Sequence, residues 1–122
     1  MTNLERPELE PMLEPAPTVQ TMQEVVEGTG VEAPVGGTVK VHYLGVDYET
    51  GEEFDSSWGR GEPIEFPLDR LIKGWQEGIP GMKVGGRRTL ICPPVYAYGE
   101  AGGGHRLSGR TLVFVIDLLG VR

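Results

Sequence analysis

Glycine divides most of this chain into short segments. All 19 glycines lie at or beyond Gly28, and several of the stretches between them alternate apolar and polar side chains. Such alternation has the period of a half-buried strand, and glycine clusters are typical of the turns between strands. The pattern predicts a set of short strands that begins after an N-terminal segment of different composition.

The first seventeen residues differ in composition from the rest. They hold four of the ten prolines and no aromatic residue. Their acidic side chains are those of Glu5, Glu8, Glu10 and Glu14. So few apolar groups with a net negative charge do not offset the entropy of ordering. We expect residues 1–17 to be a disordered, acidic, proline-rich tail, and residues 18–122 to form one domain. A solubilising extension is the favoured role of the tail, and binding of a partner is the alternative.

Strand character recurs along the predicted domain. The segments that have it are residues 18–26, 38–48, 53–54, 64–66, 87–92 and 111–119. In the second of these, Val39, Val41 and Tyr43 share one face of the strand because side chains alternate across a sheet. Residues 48–52 form a hairpin turn signal. The pattern predicts a mostly antiparallel sheet with one apolar face.

One segment has a helical period instead. Its apolar residues at that spacing are Leu68, Leu71, Ile72, Trp75 and Ile79. Pro67 precedes them and glycines follow, so we expect a short amphipathic helix with Asp69 as a candidate cap. Gly74 within it costs ~1 kcal/mol relative to alanine, which indicates a close contact there. A helix of this kind packs on the apolar face of a sheet, so the predicted fold class is α+β.

Charge and cysteine content exclude several classes of protein. A net charge of −7 argues against nucleic-acid binding, which depends on cationic contacts to phosphate. No apolar run approaches the roughly 20 residues that cross a bilayer. The start of the chain lacks the features of a secretory signal. The single cysteine, Cys92, is expected to be a buried small hydrophobe, in keeping with a reducing compartment. These observations favour a cytoplasmic protein.

Motifs for cofactors, metals and nucleophiles are weak. Gly28-Thr29-Gly30 begins a dinucleotide-like pattern, but no helical period follows it, so it is interpreted as a turn. His42 and His105 are the only histidines, and they have no usual metal spacing. A triad of Ser56, His42 and Asp55 lacks a nucleophile elbow, and neighbouring side chains diverge. We expect no cofactor and no metal.

The aromatic residues indicate where function lies. All nine follow position 42, and most lie in turns or beside glycine rather than in the middle of an element. Rings placed on connections favour a concave apolar pocket whose walls come from several segments.

These aromatic phrases resemble those of the FKBP-type peptidyl-prolyl cis–trans isomerases. The first two matches are Val39-Lys40-Val41-His42-Tyr43-Leu44-Gly45 and Gly51-Glu52-Glu53-Phe54-Asp55-Ser56-Ser57. The others are Leu71-Ile72-Lys73-Gly74-Trp75, Gly81-Met82-Lys83-Val84-Gly85, Tyr96-Ala97-Tyr98-Gly99 and Thr111-Leu112-Val113-Phe114. The phrases occur in order and at family-like spacing, and the resemblance as a whole runs from about Thr18 to Val121. The resemblance implies a twisted antiparallel sheet of about five strands wrapped around one short helix, with an apolar cavity between them.

By position, the resemblance also assigns the cavity. Trp75 would form its floor, where a proline ring lies, and Tyr98 and the backbone N–H of Ile72 would donate hydrogen bonds to the substrate. Asp55 would lie near the reacting carbonyl and pair with Arg60 or Tyr43. The walls would be Tyr43, Phe54 and Phe114, and the rim Leu71, Ile64 and Leu107.

Two departures from the family pattern bear on specificity. The loop between Gly99 and Thr111 is about one residue shorter than in many members, which leaves Leu107 as the match for the apolar rim. Ile64 stands where an aromatic residue is common. Both should change the preference for the residue before proline and the affinity for macrolides.

The resemblance implies an isomerase that accelerates rotation about X–Pro bonds and assists protein folding. Its partners would be proline-containing peptides, unfolded proteins and macrolides such as rapamycin or tacrolimus, and the protein would be a monomer. A catalytically weak proline-binding or chaperone module of the same fold is the first alternative. A carrier of small apolar ligands is the second.

Overall fold

Six strands and two short helices follow one another in the computed structural model, which describes residues 4–9, 12 and 14–122. The helices are α1 (Ser57–Arg60) and α2 (Lys73–Gly78). Single 3₁₀ turns cover Leu68–Arg70 and Pro94–Tyr96. The strands are β1 (Thr21–Val26), β2 (Thr38–Asp47), β3 (Glu53–Ser56), β4 (Ile64–Pro67), β5 (Arg87–Cys92) and β6 (Leu112–Val121).

All strand pairs are antiparallel and belong to one sheet in the order β1-β5-β6-β2-β3, with β4 also paired to β2. The ten-residue β2 holds two short partners on one side: its first half pairs with β4 and its second half with β3. That division yields six strands where about five are predicted. The predicted α+β class, an antiparallel sheet with a short helix, is confirmed.

The predicted helix is shorter than its apolar period. Leu71 and Ile72 are extended, with ψ of 173° and 153°, so they separate the 3₁₀ turn at Leu68–Arg70 from α2. Ile72 is the N-cap of α2 and contributes no side-chain cap, whereas Asp69 lies inside the 3₁₀ turn. Asp69 as a cap of α2 is therefore wrong, because the extended pair lies between them.

The helix α1 is not predicted from the sequence. The Ser56 hydroxyl accepts a hydrogen bond from the Gly59 N–H at 3.1 Å and caps the first turn. Gly61, with φ of +82°, ends the helix in the left-handed conformation that glycine tolerates best. The local signal was present, since serine before a turn and glycine after it are the usual boundaries of a helix.

The main core lies between the sheet and α2. Val39, Val41 and Tyr43, placed on one face by the sequence, are all buried there. Cys92 is also buried, as expected, and burial raises the pKa of its thiol to about 12. No helix among the described residues is long and apolar enough to cross a bilayer.

The helix α2 approaches β5 so closely that glycine is needed. A Cβ atom on Gly74 would lie 2.5 Å from Cys92 Sγ and 2.7 Å from Gln20 Oε1. One on Gly78, a turn later, would lie 2.7 Å from both methyl carbons of Leu90. This is the close contact that the sequence indicates at Gly74, and it sets the position of Trp75 on the same helix.

Gly74→Ala is therefore expected to lower the free energy of unfolding by roughly 1–3 kcal/mol, because overpacking outweighs the ~1 kcal/mol gain in helix propensity. Urea unfolding measures it. Gly59→Ala in α1 is the matched control, since its Cβ would lie no closer than 3.7 Å to any atom other than its chain neighbours and the backbone of its own helix. Equal stability of the two variants would contradict the close packing of α2 on β5.

A second apolar face lies on the outer side of the sheet, where only one apolar face is predicted. Its buried residues are Leu44, Val46, Tyr48 and Val113. Leu9, Met12 and Ala16 of the N-terminal segment pack against it. The disorder predicted for residues 1–17 stays a prediction, and the same is true of the domain boundary at residue 18.

Candidate functional site

A pocket of about 190 Å³ opens between α2 and the inner face of the sheet. It is lined by Tyr43, Phe54, Asp55, Phe66, Leu71, Ile72, Trp75, Tyr98 and Phe114. All of these except Phe66 are site residues predicted from the sequence. The residues therefore meet in space, while the role of each stays a prediction.

Trp75 lines the pocket and packs against three other rings. Its ring is almost perpendicular to those of Tyr43, Phe66 and Phe114, with ring centroids 5.1, 5.6 and 5.4 Å apart. Edge-to-face contacts of this kind favour a fixed arrangement beyond the area they bury. Only 4% of Trp75 is exposed, and its Nε1–H has no hydrogen-bond partner among the described residues. The indole is thus held rigidly by other rings.

Gly45 makes room for two other rings of the pocket lining, those of Phe54 and Phe114. A Cβ atom there would lie 2.6 Å from Phe54 Cζ and 3.0 Å from Phe114 Cε1. Because glycine has no Cβ atom, the rings of Phe54 and Phe114 meet edge to face there, with centroids 5.6 Å apart. The Tyr43-Leu44-Gly45 phrase therefore supplies both a wall residue and the space for two others.

The polar side of the pocket is a triangle of Tyr43, Asp55 and Arg60. The Tyr43 hydroxyl donates to Asp55 Oδ2 at 2.5 Å and accepts from Arg60 Nη2 at 2.8 Å. Arg60 Nη1 also forms an ion pair with Asp55 Oδ1. Asp55 thus pairs with both of the residues between which the resemblance leaves a choice. The Ser56 N–H also donates to Asp55 Oδ1 at 2.9 Å. Three contacts therefore fix the carboxylate of Asp55, which lines the pocket.

The triangle keeps Asp55 ionised and Tyr43 neutral. Burial opposes ionisation of Asp55, but hydrogen bonds from Tyr43 and Arg60 and the charge of Arg60 outweigh it, so its pKa lies below the ordinary value. Burial, together with the hydrogen bond to Asp55, raises the pKa of Tyr43 to about 12. At neutral pH the pocket therefore presents a carboxylate rather than a carboxylic acid.

Tyr98 comes to the pocket from the loop after Pro94–Tyr96. Burial, and next the charge of Asp55, raise the pKa of its hydroxyl, so the hydroxyl remains a neutral donor. The ring of His105 stacks on that of Tyr98 with centroids 4.0 Å apart. Ser108 Oγ donates to the Tyr98 carbonyl at 3.0 Å. The short glycine-rich loop therefore returns to hold Tyr98 from both its ring and its backbone.

The extended pair Leu71–Ile72 forms the opposite edge. The Leu71 carbonyl accepts from Gln76 Nε2 at 2.7 Å, and the Ile72 carbonyl accepts from the Trp75 N–H at 3.0 Å. Their carbonyls are therefore directed into α2. The extended backbone of Leu71 and Ile72 interrupts the predicted helix. As a result, both residues lie in the pocket lining.

Three predicted residues lie outside the pocket lining. Arg60 acts on it through Asp55 and Tyr43, Ile64 packs partly buried against the main core, and Leu107 is buried in that core. Phe66, which the sequence leaves as a packing or rim residue, does line the pocket. Its signal was the alternation of β4, which puts residues 64 and 66 on the same face.

A serine–histidine pair lies beside the pocket. His42 Nδ1 is 2.7 Å from Ser57 Oγ, which also accepts the Tyr43 N–H at 2.7 Å. Ser57 is fully buried, and the His42 ring stacks on Trp58. The pair thus fixes α1 against β2, while Ser56 of the rejected triad caps α1. No cluster of potential metal ligands occurs in the described parts of the chain.

Comparison with known proteins agrees with this geometry. A family model described as FKBP-type peptidyl-prolyl cis-trans isomerase matches residues 30–119. The "Probable FK506-binding protein" of Corynebacterium glutamicum is 61% identical over 95% of this chain and 98% of its own. The "FK506-binding protein" of Streptomyces anulatus is 50% identical over 98% and 99%.

Solved structures share the fold. The crystal structure of FkpA from Escherichia coli matches with a TM-score of 0.77 and 45% identity, over 86% of this chain and 49% of FkpA. That of AtFKBP13 matches with a TM-score of 0.74 and 38% identity, over 88% and 96%. The aromatic pocket, the sheet that carries it and these relatives lead to one conclusion. This chain belongs to the FKBP-type peptidyl-prolyl cis–trans isomerases.

Proposed function

We propose that the aromatic pocket accelerates rotation about X–Pro bonds by holding the prolyl ring on Trp75. Rotation about a peptide bond faces a barrier of ~18–20 kcal/mol, because resonance gives the C–N bond double-bond character. The two X–Pro isomers differ by only about 0.5–1 kcal/mol, so both are populated and exchange slowly. The protein therefore needs only to lower the barrier to rotation about the X–Pro bond, because the cis–trans equilibrium itself needs no change.

The apolar lining supports this mechanism. The twisted transition state loses resonance and with it much of the charge separation of the planar amide. Water stabilises the planar form more, so transfer into a pocket of rings removes an advantage of the ground state. A rigid floor and walls that fit the twisted form add binding in the transition state alone. The edge-to-face contacts of Trp75 with three rings are the observation that carries the proposal.

The polar groups would guide the twisted amide. In this proposal the Tyr98 hydroxyl and the Ile72 N–H donate to substrate carbonyls and fix the peptide across the pocket. The fixed carboxylate of Asp55 lies near the reacting carbonyl, where a preorganised charge can favour the altered dipole of the twisted form. This rotation breaks no covalent bond, so the pocket itself supplies all the chemistry needed.

Substrates would be proline-containing segments of unfolded proteins, and in this way the protein would assist folding. Binding of FK506 by the relatives that carry this name suggests that the pocket also takes macrolides such as tacrolimus or rapamycin. We further propose that the protein acts in the cytoplasm as a monomer. The lone, buried Cys92 suits a reducing compartment, and a net charge of −7 favours separation of copies and disfavours nucleic acid.

Asp55→Ala and Tyr98→Phe test these roles. Loss of one neutral hydrogen bond at Tyr98 should lower kcat/KM about tenfold, and loss of the charged group at Asp55 about 10- to 100-fold. A protease-coupled assay on a short Leu–Pro peptide measures both, and circular dichroism checks the fold. If both variants keep wild-type activity, the roles proposed for Asp55 and Tyr98 are wrong. Tight peptide binding without any rate gain in the parent protein would instead favour the binding-module alternative.

A further inference from the structure

The central strands of the sheet are buried on both faces. In β6 every residue from Leu112 to Leu118 is buried, and in β2 so is every residue from Tyr43 to Asp47. An antiparallel sheet with one solvated face would alternate buried and exposed positions instead. The outer apolar face, formed by Leu44, Val46, Tyr48 and Val113, therefore needs a cover.

The segment that precedes β1 covers this face. We call its described residues, 4–9, 12 and 14–17, the N-terminal strap. Leu9, Met12 and Ala16 of the strap pack on the outer apolar face. The Tyr48 hydroxyl donates to the Pro15 carbonyl at 3.3 Å, and Arg87 Nη2 donates to the Glu5 carbonyl at 2.5 Å. Contacts from residue 5 to residue 16 thus follow the strap along the sheet.

The first part of the strap contacts the short helix beside the pocket. Arg6 Nη1 lies 3.4 Å from the hydroxyl of Ser56, the N-cap of α1, and Arg6 Nη2 forms an ion pair with Glu53 of β3. The last residue of α1 is Arg60, whose guanidinium binds Asp55 and Tyr43 in the pocket. Arg6 therefore contacts the N-terminal end of α1, while Arg60 at the C-terminal end of the same helix holds the carboxylate of Asp55.

We infer that the N-terminal strap docks on the outer apolar face of its own chain and that Arg6 is a positioning residue, which steadies α1 and so keeps Arg60 on Asp55. Pro17 lies only a few residues before β1, so the tethered strap meets its own sheet at a high effective concentration. The prolines at positions 7, 15 and 17 restrict the free chain and lower the entropy lost on docking. The inference rests on the proposed role of Asp55 in the isomerase reaction.

Backbone ¹⁵N relaxation on the full chain tests docking directly. The amides of Arg6, Leu9 and Ala16 should have heteronuclear NOE values close to those of β1, and the Leu9 methyl groups should show NOEs to Val113. Values near zero or negative would mean a disordered tail and would overturn docking. NOEs between the strap and the outer face that grow with protein concentration would mean a second copy and would also overturn it.

Leu9→Ser with Met12→Ser tests the apolar contact. We expect this variant to lose roughly 5 °C of Tm, whereas Glu8→Gln with Glu14→Gln, two exposed strap residues, should lose none. Equal Tm values for the two double variants would overturn docking.

A double-mutant cycle tests the positioning role. Arg6→Ala should lower kcat/KM several-fold in the parent protein and cause no further loss in an Arg60→Ala background, because it acts through Arg60. Glu8→Ala is the matched control and should leave kcat/KM unchanged. If Arg6→Ala lowers activity equally in both backgrounds, or in neither, Arg6 does not position Arg60. Arg60→Ala alone should lower kcat/KM, which tests the proposed role of Asp55 independently of Arg6. Failure of the positioning role is therefore distinguishable from failure of the proposed function.

Discussion

Replacing Trp75 by alanine is expected to lower the free energy of unfolding by roughly 3–5 kcal/mol, because the cavity left by a buried tryptophan cannot collapse between rigid rings. The same change removes the proposed floor of the pocket. Burial of a ring of proline size is worth roughly 1.5–3 kcal/mol, so kcat/KM should fall roughly 10- to 100-fold. Urea unfolding measures the first effect and the isomerase assay the second, at a temperature where circular dichroism shows the variant folded.

Trp75→Phe separates the effect on kcat/KM from the effect on the free energy of unfolding. A phenylalanine keeps an aromatic surface for proline and leaves a smaller cavity, so both losses should be smaller than those of the alanine variant. It also removes the Nε1–H, which has no hydrogen-bond partner among the described residues, so no polar contact of the parent is lost there. A folded Trp75→Ala variant with parental kcat/KM would show that the proline ring does not lie on Trp75.

Asp117→Ala is expected to cost about 3–5 kcal/mol of unfolding free energy, because it leaves the Arg87 guanidinium partly buried without its counter-charge. Arg87 Nε and Nη2 bind the two carboxylate oxygens at 2.6 and 2.8 Å, and the two side chains are only 13% and 4% exposed. The pair joins β5 to β6 at Arg87 and Asp117, which are opposite each other in the ladder. Urea unfolding again gives the value.

Two controls define this prediction. Glu65→Ala removes an exposed partner of Arg122 at 3.3 Å and should cost less than about 1 kcal/mol. Replacing both members of the buried pair, Arg87→Met with Asp117→Leu, should restore much of the loss, because no buried charge is left unpaired. If Asp117→Ala costs no more than Glu65→Ala, Arg87 reaches water easily and the pair adds little to the sheet.

The inner side of the molecule could be predicted from the sequence because two periods fix it. Alternation in β2 and β6 places Tyr43 and Phe114 on the face that meets α2, and the helical spacing directs Trp75 toward them. Gly74 also carried its own signal, since a glycine inside a helix is costly unless something lies close. The aromatic phrases, in their order along the chain, then indicated the family, and the resemblance to that family predicted the site residues.

The outer side could not be predicted in the same way. Contacts of the strap join residues far apart in the chain, and an acidic, proline-rich composition favours disorder when it is considered alone. One signal was available: Val113 and Val115 alternate with the inner residues of β6, and an apolar residue on both faces indicates burial on both. The helix α1 was missed because it is a single turn, too short for any period.

Two-dimensional exchange NMR on a mixture of the protein and a short Leu–Pro peptide tests the central claim most directly. Uncatalysed isomers exchange over tens of seconds, too slowly to give exchange cross-peaks. The account predicts cross-peaks between cis and trans proline signals with catalytic amounts of protein. It also predicts, at higher protein concentration, NOEs from the proline ring protons to the Trp75 indole. Exchange without contact to Trp75, or contact without exchange, would contradict the claim that this aromatic pocket is where the X–Pro bond rotates.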